Sequence, residues 1–203
     1  MRHNEVRNLL ASCCSYAGFK GVECEPSFLP LSEAQKKSGF FDKRTAITDD
    51  GARADLSALG FWTDMGKTFF DVRVFNPNAP TYQSKTPKAL YQQHELEKKR
   101  EYNQRTIEVE KATFTPLVFS TFGGAGPECT MALKRLAEQI ADRRHQCLSS
   151  IMGWLRTRLC FSLLRSSINC LRGSRVSPKH PPGLEFLNFE IGEAGGHFQS
   201  FSD

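Results

Sequence analysis

Val6, Leu9, Leu10 and Cys13 recur at helical spacing near the start of the chain, and Gly18 stops the run, which predicts a helix over residues 4–16 with Glu5 in its first turn. A short strand is expected at 22–28, bent by Pro26 and Pro30. Residues 32–52 are polar, with Lys36-Lys37, Gly39, Lys43-Arg44 and Asp49-Asp50-Gly51, and read as a surface loop. Two runs rich in aromatic and β-branched residues follow, at 56–61 and 68–75, separated by Trp62-Thr63-Asp64 and Gly66; the pair reads as a β-hairpin. Asn76-Pro77-Asn78-Ala79-Pro80 cannot continue a central strand.

From 87 to 111 the pattern becomes that of a long, highly charged helix. Tyr91, Glu95, Lys98 and Tyr102 lie on one face of it, at spacings of four, three and four. That stripe is either part of a solvated face or a surface turned toward a polar site. An apolar run at 114–122 leads into Gly123-Gly124-Ala125-Gly126-Pro127 and a helix at 128–147. Strand, glycine loop and helix form a phosphate-cradle pattern, but the Walker lysine is missing and the Rossmann spacing is not met, so tight packing of the turn is the expected role. A last helix is expected over 150–171, with Trp154, Phe161 and Ile168 as its core stripe and Arg158, Arg165 and Arg172 as a basic one. Residues 176–203, broken by Pro178, Pro181-Pro182, Gly192 and Gly195-Gly196, read as a flexible tail, leaving residues 1–175 as the folded domain.

Composition adds three constraints. A hydrophobic content of 39% with 16 Phe in 203 residues is enough for one good core. The net charge of +5 favours anionic partners, and its distribution sharpens this, because no Asp or Glu occurs between Arg143 and Leu184. Seven cysteines with no C-x-x-C pair indicate neither a zinc site nor a disulfide framework and fit a reducing compartment. With no signal-like N-terminus and no long apolar run, neither export nor membrane spanning is expected.

The hairpin carries the candidate chemistry. If it folds symmetrically about residue 63, positions summing to 126 face each other, and Asp55 pairs with Asp71 at a Cβ separation of roughly 4.5–5.5 Å. Two carboxylates that close repel unless a cation lies between them. Arg73 emerges on the face of Asp71, while Phe70, Val72 and Val74 point the other way into a core. Hard oxygen ligands suit magnesium or manganese, commonly held by one or two carboxylates plus phosphate oxygens. The competing reading is a structural pair of Asp71 with Arg73 or a lysine, since Asp71 interrupts an apolar strand where an unpaired charge is costly.

The order of these elements, together with Arg2-His3-Asn4-Glu5-Val6-Arg7, Arg53-Ala54-Asp55-Leu56, Phe70-Asp71-Val72-Arg73-Val74, the Lys98-to-Tyr102 helix and Pro116-Leu117-Val118-Phe119, resembles the restriction-like PD-(D/E)XK endonuclease region at the C-terminus of non-LTR retrotransposon polyproteins. The resemblance spans about residues 2–175. It implies an α/β fold with a restriction-endonuclease-like core, a mixed central sheet flanked by helices, and a C-terminal helical extension. It also implies Asp55 and Asp71 as ligands of Mg²⁺ or Mn²⁺, with Glu5 reaching the metal through water, and Lys98 as the catalytic lysine with Tyr102 beside it. Two positions depart from the family pattern: Ala54 replaces the proline before the first Asp, and Arg73 replaces the superfamily lysine. Arg73 stays protonated and can stabilise a phosphate but cannot act as a base.

The activity so implied is nicking of one DNA strand by a nuclear protein. Arg158, Arg165 and Arg172 would grip the backbone. DNA, and element RNA, are the expected partners. An upstream reverse transcriptase region belongs to the parent polyprotein. A binding module that has lost catalysis, and an α/β domain with no nucleic-acid role, are the alternatives.

Overall fold

In the computed structural model, which describes residues 2–37, 41 and 46–172, apolar side chains at helical spacing in α1 (Arg2–Ala17) bury Val6, Leu10, Cys13, Cys14 and Ala17 against one face of a sheet. Gly18, at φ +90°, closes the helix and turns the chain into β1 (Lys20–Cys24). Ser32 and Gln35 form a reciprocal capping box on the four-residue helix α2 (Glu33–Lys36). The expected loop at 32–52 is therefore not wholly superficial; Ala46 and Ala52 are buried, and residues 38–40 and 42–45 lie outside the described part.

Strands β2 (Leu56–Leu59) and β3 (Lys67–Phe75) pair antiparallel, Leu56 with Phe70 and Leu59 with Lys67, so opposed positions do sum to 126. Phe61, expected in the strand, instead sits in the turn and is buried against Phe19 and Phe70, while the Trp62 indole donates to Thr115 at 2.9 Å. Thr86 and Pro87 start the crossover helix α3 (Pro87–Glu108), which returns the chain to β4 (Thr113–Ser120), parallel to β3. The result is a four-stranded mixed sheet in the order β1-β2-β3-β4. Pro116 is tolerated because β4 is an edge strand whose even-numbered backbone groups face outward, as the bond from Gly126 N–H to the Val118 carbonyl shows.

Alternation divides the sheet into two faces. Leu56, Ala58, Phe70, Val72, Leu117 and Phe119 pack under α1 and α4 (Pro127–Arg144). On the other face, Phe69 and Phe114 meet Tyr102 of α3, and Phe75 and Val118 meet Leu90. Asp71 and Arg73 fall on this α3 face, between its two apolar clusters.

Helix α5 (Leu148–Arg172) packs on α1 and α4, but not through the stripe expected from sequence. Ile151, Leu155, Leu159 and Leu163 are its buried apolar residues among those described; Trp154 is half-buried, Phe161 is 64% exposed and Ile168 38% exposed. Leucines interspersed with Ser162 and Ser166 allow close approach to two helices, whereas a stripe of Trp and Phe would hold them apart. Leu159→Ala is accordingly expected to cost about 2–5 kcal/mol in chemical denaturation, and Phe161→Ser to stay within about 0.5 kcal/mol.

No helix among the described residues is long and apolar enough to cross a membrane.

Candidate active site

Because β2 begins at Leu56, opposite Phe70, the stretch of β3 from Asp71 to Phe75 runs on beyond its antiparallel neighbour. Asp55 turns its side chain into that gap. Its Oδ2 accepts the Val72 N–H at 2.7 Å and its own N–H donates to the Phe70 carbonyl at 3.0 Å, so a carboxylate substitutes for the missing strand. A cleft of about 320 Å³ opens there, lined by Asp55, Asp71, Val72, Arg73, Val74, Lys98 and His3. Asp55, Asp71, Lys98 and Arg73, four of the candidate residues read from the sequence, thus line one cavity.

Lys98 reaches across from α3, its Nζ 3.1 Å from Asp71 Oδ2 and 3.2 Å from Glu101 Oε2. Burial works to lower the Lys98 pKa, but the Asp71 and Glu101 carboxylates outweigh it, and the net shift is upward. Lys98 is therefore a charged donor and not a base in this arrangement. Asp71 moves the other way from an ordinary carboxylate: burial raises its pKa, Lys98 opposes, and the neighbouring Asp55 charge raises it further. Its Oδ2 is buried yet receives no well-directed hydrogen bond despite the ammonium nearby.

Tyr102 does not line the cleft. It is 6% exposed and stacked on Phe114 at 5.2 Å; burial and then the Asp71 charge push its ionisation up. Arg73 lies in the cleft and is held by Glu97 at 3.1 Å, whose Oε2 also meets His94 Nδ1 at 3.3 Å. Burial opposes ionisation of Glu97, but hydrogen bonds from Gln93 and His94 and the Arg73 charge bring its pKa below the usual range.

Glu5 is half-buried on α1 and does not line the cleft. His3 does, with Nε2 3.7 Å from Asp55 Oδ1. Two residues along a helix is about 200° of rotation, so only one of the pair can face Asp55. Nothing in the periodicity of residues 4–16 singles out His3, and Glu97, the partner of Arg73, hides among the many charges of α3. Arg158 and Arg165 are on α5, packed over α1 and α4 on the opposite side of the sheet from α3, and the cleft does not include them; Arg172 ends α5, its side chain lying outside the described residues.

The glycine loop has a different explanation from an anion cradle. Glu95, 4% exposed, places its carboxylate at the α4 N-terminus and accepts the Glu128 N–H at 2.9 Å. A Cβ on Gly126 would collide with that carboxylate, and one on Gly124 with the Tyr91 hydroxyl. The stripe Tyr91, Glu95, Lys98, Tyr102 is thus turned inward along its whole length. Burial raises the Glu95 pKa against the backbone bonds that lower it. Glu95→Ala strips an acceptor from buried N–H groups and is expected to cost about 1–3 kcal/mol by urea denaturation.

Two carboxylates with spare acceptor capacity suit a hard divalent cation completed by substrate oxygens. Among the described residues there is no cluster of three or more His, Cys, Asp or Glu side chains arranged for a metal, so a cation here would rely on those outside oxygens. Comparison of the chain with protein families, with curated proteins and with solved structures finds no match.

Proposed function

We propose that the chain is a divalent-metal-dependent DNA endonuclease that nicks one strand, with a restriction-endonuclease-like core, derived from the terminal region of a non-LTR retroelement polyprotein. One observation carries the reading: Asp55 and Asp71 line one cavity where β3 runs on past the start of β2, and Asp71 Oδ2 is buried without a well-directed hydrogen bond. Asp55 has a structural role in accepting the Val72 N–H, but its charge raises the Asp71 pKa, a like-charge cost that a bound cation would offset.

Asp55 and Asp71 would hold the cation, Mg²⁺ or Mn²⁺. Such an ion supplies Lewis acidity toward a phosphodiester and toward the attacking water. Val72 N–H fixes Asp55, and Lys98 pairs with Asp71 from α3. Lys98, kept protonated, donates toward the water or a phosphate oxygen. Arg73, oriented by Glu97, offsets the negative charge that grows on the phosphate. Arg158 and Arg165 do not line this cavity, so DNA in the cleft would be gripped by other groups or bend around the protein.

Nicking of supercoiled plasmid in the presence of Mg²⁺ or Mn²⁺ tests the reading. The native chain should nick and Asp55→Ala and Asp71→Ala should each lose about a hundredfold or more. Metal-independent nicking, or nicking that survives Asp71→Ala, defeats the proposal. Salt-sensitive DNA binding without cleavage indicates instead a binding remnant.

A further inference from the structure

Where the C-terminal ends of α1 and α4 meet the first half of α5, two neighbouring aromatic rings lie between two arginines. The Arg144 guanidinium carbon lies 4.1 Å from the centroid of the Tyr16 ring. Tyr16 neighbours Trp154, their centroids 6.2 Å apart at a tilt of 32°, and Arg158 follows at 5.7 Å from the Trp154 ring. Arg143 is anchored beside them, donating to the Tyr16 carbonyl at 3.4 Å. Four residues from three helices therefore form one ladder of flat, π-bearing groups, with Arg144 exposed and Tyr16, Trp154 and Arg158 half-exposed.

We propose that this ladder is a binding platform for single-stranded nucleic acid, separate from the Asp71 cleft. Charge points to an anion: no carboxylate pairs with Arg143, Arg144 or Arg158 among the described residues, and the chain carries no Asp or Glu from Arg143 to Leu184. Arginines at a helix C-terminus serve the helix dipole, which accounts for Arg143 and Arg144 but not for Arg158 over Trp154 on another helix. Planarity narrows the anion to one with flat faces of its own. Unpaired bases stack on aromatic rings and on guanidinium planes while their phosphates meet the same arginines. A duplex offers the phosphates but keeps its base faces covered, and an acidic peptide offers charge without stacking.

Binding is read by fluorescence anisotropy with a labelled oligothymidylate of roughly 16 nucleotides, the upper end of single-strand site sizes. The full chain carries Asp71→Ala so that cleavage plays no part, and the outcome stands apart from that of the nuclease reading. Arg144→Glu with Arg158→Glu should weaken binding about tenfold or more, and should flatten the dependence of log affinity on log salt by about 1.4 for the two lost phosphate contacts. The oligonucleotide should also quench Trp154 in a Trp62→Phe chain, a readout that leaves the ladder itself intact. Unchanged affinity in the double variant, equal or tighter binding of the matching duplex, equally good competition by polyglutamate, or an unquenched Trp154 each overturns the proposal.

Discussion

Replacing Asp71 by asparagine is expected to abolish metal-dependent nicking and to leave the fold more stable than that of the native chain at neutral pH. The carboxylate is buried, faces Asp55, and has its pKa raised chiefly by desolvation, so ionising it costs the folded state free energy that the unfolded chain does not lose. A folded-state pKa above the unfolded value means that the native protein holds the proton more tightly. Its contribution to stability is therefore present at low pH and is lost as pH rises from the ordinary aspartate range through the raised value. Asparagine keeps the shape and has no charge to desolvate, so the advantage of Asp71→Asn should open over that window and vanish below it. A divalent cation reverses the order. At a free concentration a hundred times its Kd, a ligand specific to the native state contributes about 2.7 kcal/mol, which for a chain of this size is a Tm rise of roughly 5–11 °C. Native protein should show that rise with Mg²⁺ or Mn²⁺ and Asp71→Asn should not. Equal shifts in the two proteins would remove Asp71 from the metal site, and the absence of any shift in the native chain would remove the site itself.

How much of this was readable from sequence follows from the range of the interactions involved. The hairpin register depends on one local turn and a period of two, and counting from residue 63 placed Leu56 opposite Phe70, with Asp55 one residue beyond the end of β2. The inward stripe of α3 was equally local, since spacings of four, three and four fix a face whatever lies beyond it. What covers a face is a different matter. In α5 the stripe Trp154, Phe161, Ile168 repeats every seven residues and the stripe Ile151, Leu155, Leu159, Leu163 every four, and only docking on α1 and α4 selects the second. The glycine loop carried a phosphate-binding pattern because a helix N-terminus attracts anions of any origin, and here the anion is Glu95, 33 residues away in sequence. His3 was illegible for a similar reason: it joins Asp55 across more than fifty positions, through the docking of α1 on the sheet. Short-range geometry thus located the two acids, and long-range packing supplied the groups that hold and surround them.

The largest loss of stability from a single residue is expected at Arg105, which no pattern in the sequence distinguished from the other charges of α3. It is fully buried, and its guanidinium donates to the carbonyls of Leu29 at 3.0 Å, Ile47 at 3.2 Å and Asp49 at 2.7 Å, with its carbon 5.2 Å from the Phe28 ring centroid. Those carbonyls belong to two separate segments that also pair with each other, Phe28 N–H with the Ala52 carbonyl and Ala54 N–H with the Pro26 carbonyl, immediately before Asp55. One side chain on α3 therefore fixes the approach to the first site carboxylate. Burial lowers the Arg105 pKa, with Glu110, Asp50 and Asp49 opposing, but an arginine stays charged through any physiological pH. Arg105→Ala leaves the Leu29 and Ile47 carbonyls without donors, takes one of two donors from Asp49 and opens a cavity beside Phe28; at about 1–3 kcal/mol for each of the two groups left unpaired, with the cavity adding to it, a loss of about 3 kcal/mol or more is expected, a large share of the roughly 5–15 kcal/mol that holds a typical domain together. Arg105→Met separates the two causes, since it refills the space against Phe28 without restoring a donor. If the carbonyls matter as argued, Met recovers little of the loss in urea denaturation, and both variants lose nicking along with Mg²⁺-dependent thermal stabilisation because Asp55 is no longer held. A methionine variant as stable as the native chain would show that packing alone holds these segments in place.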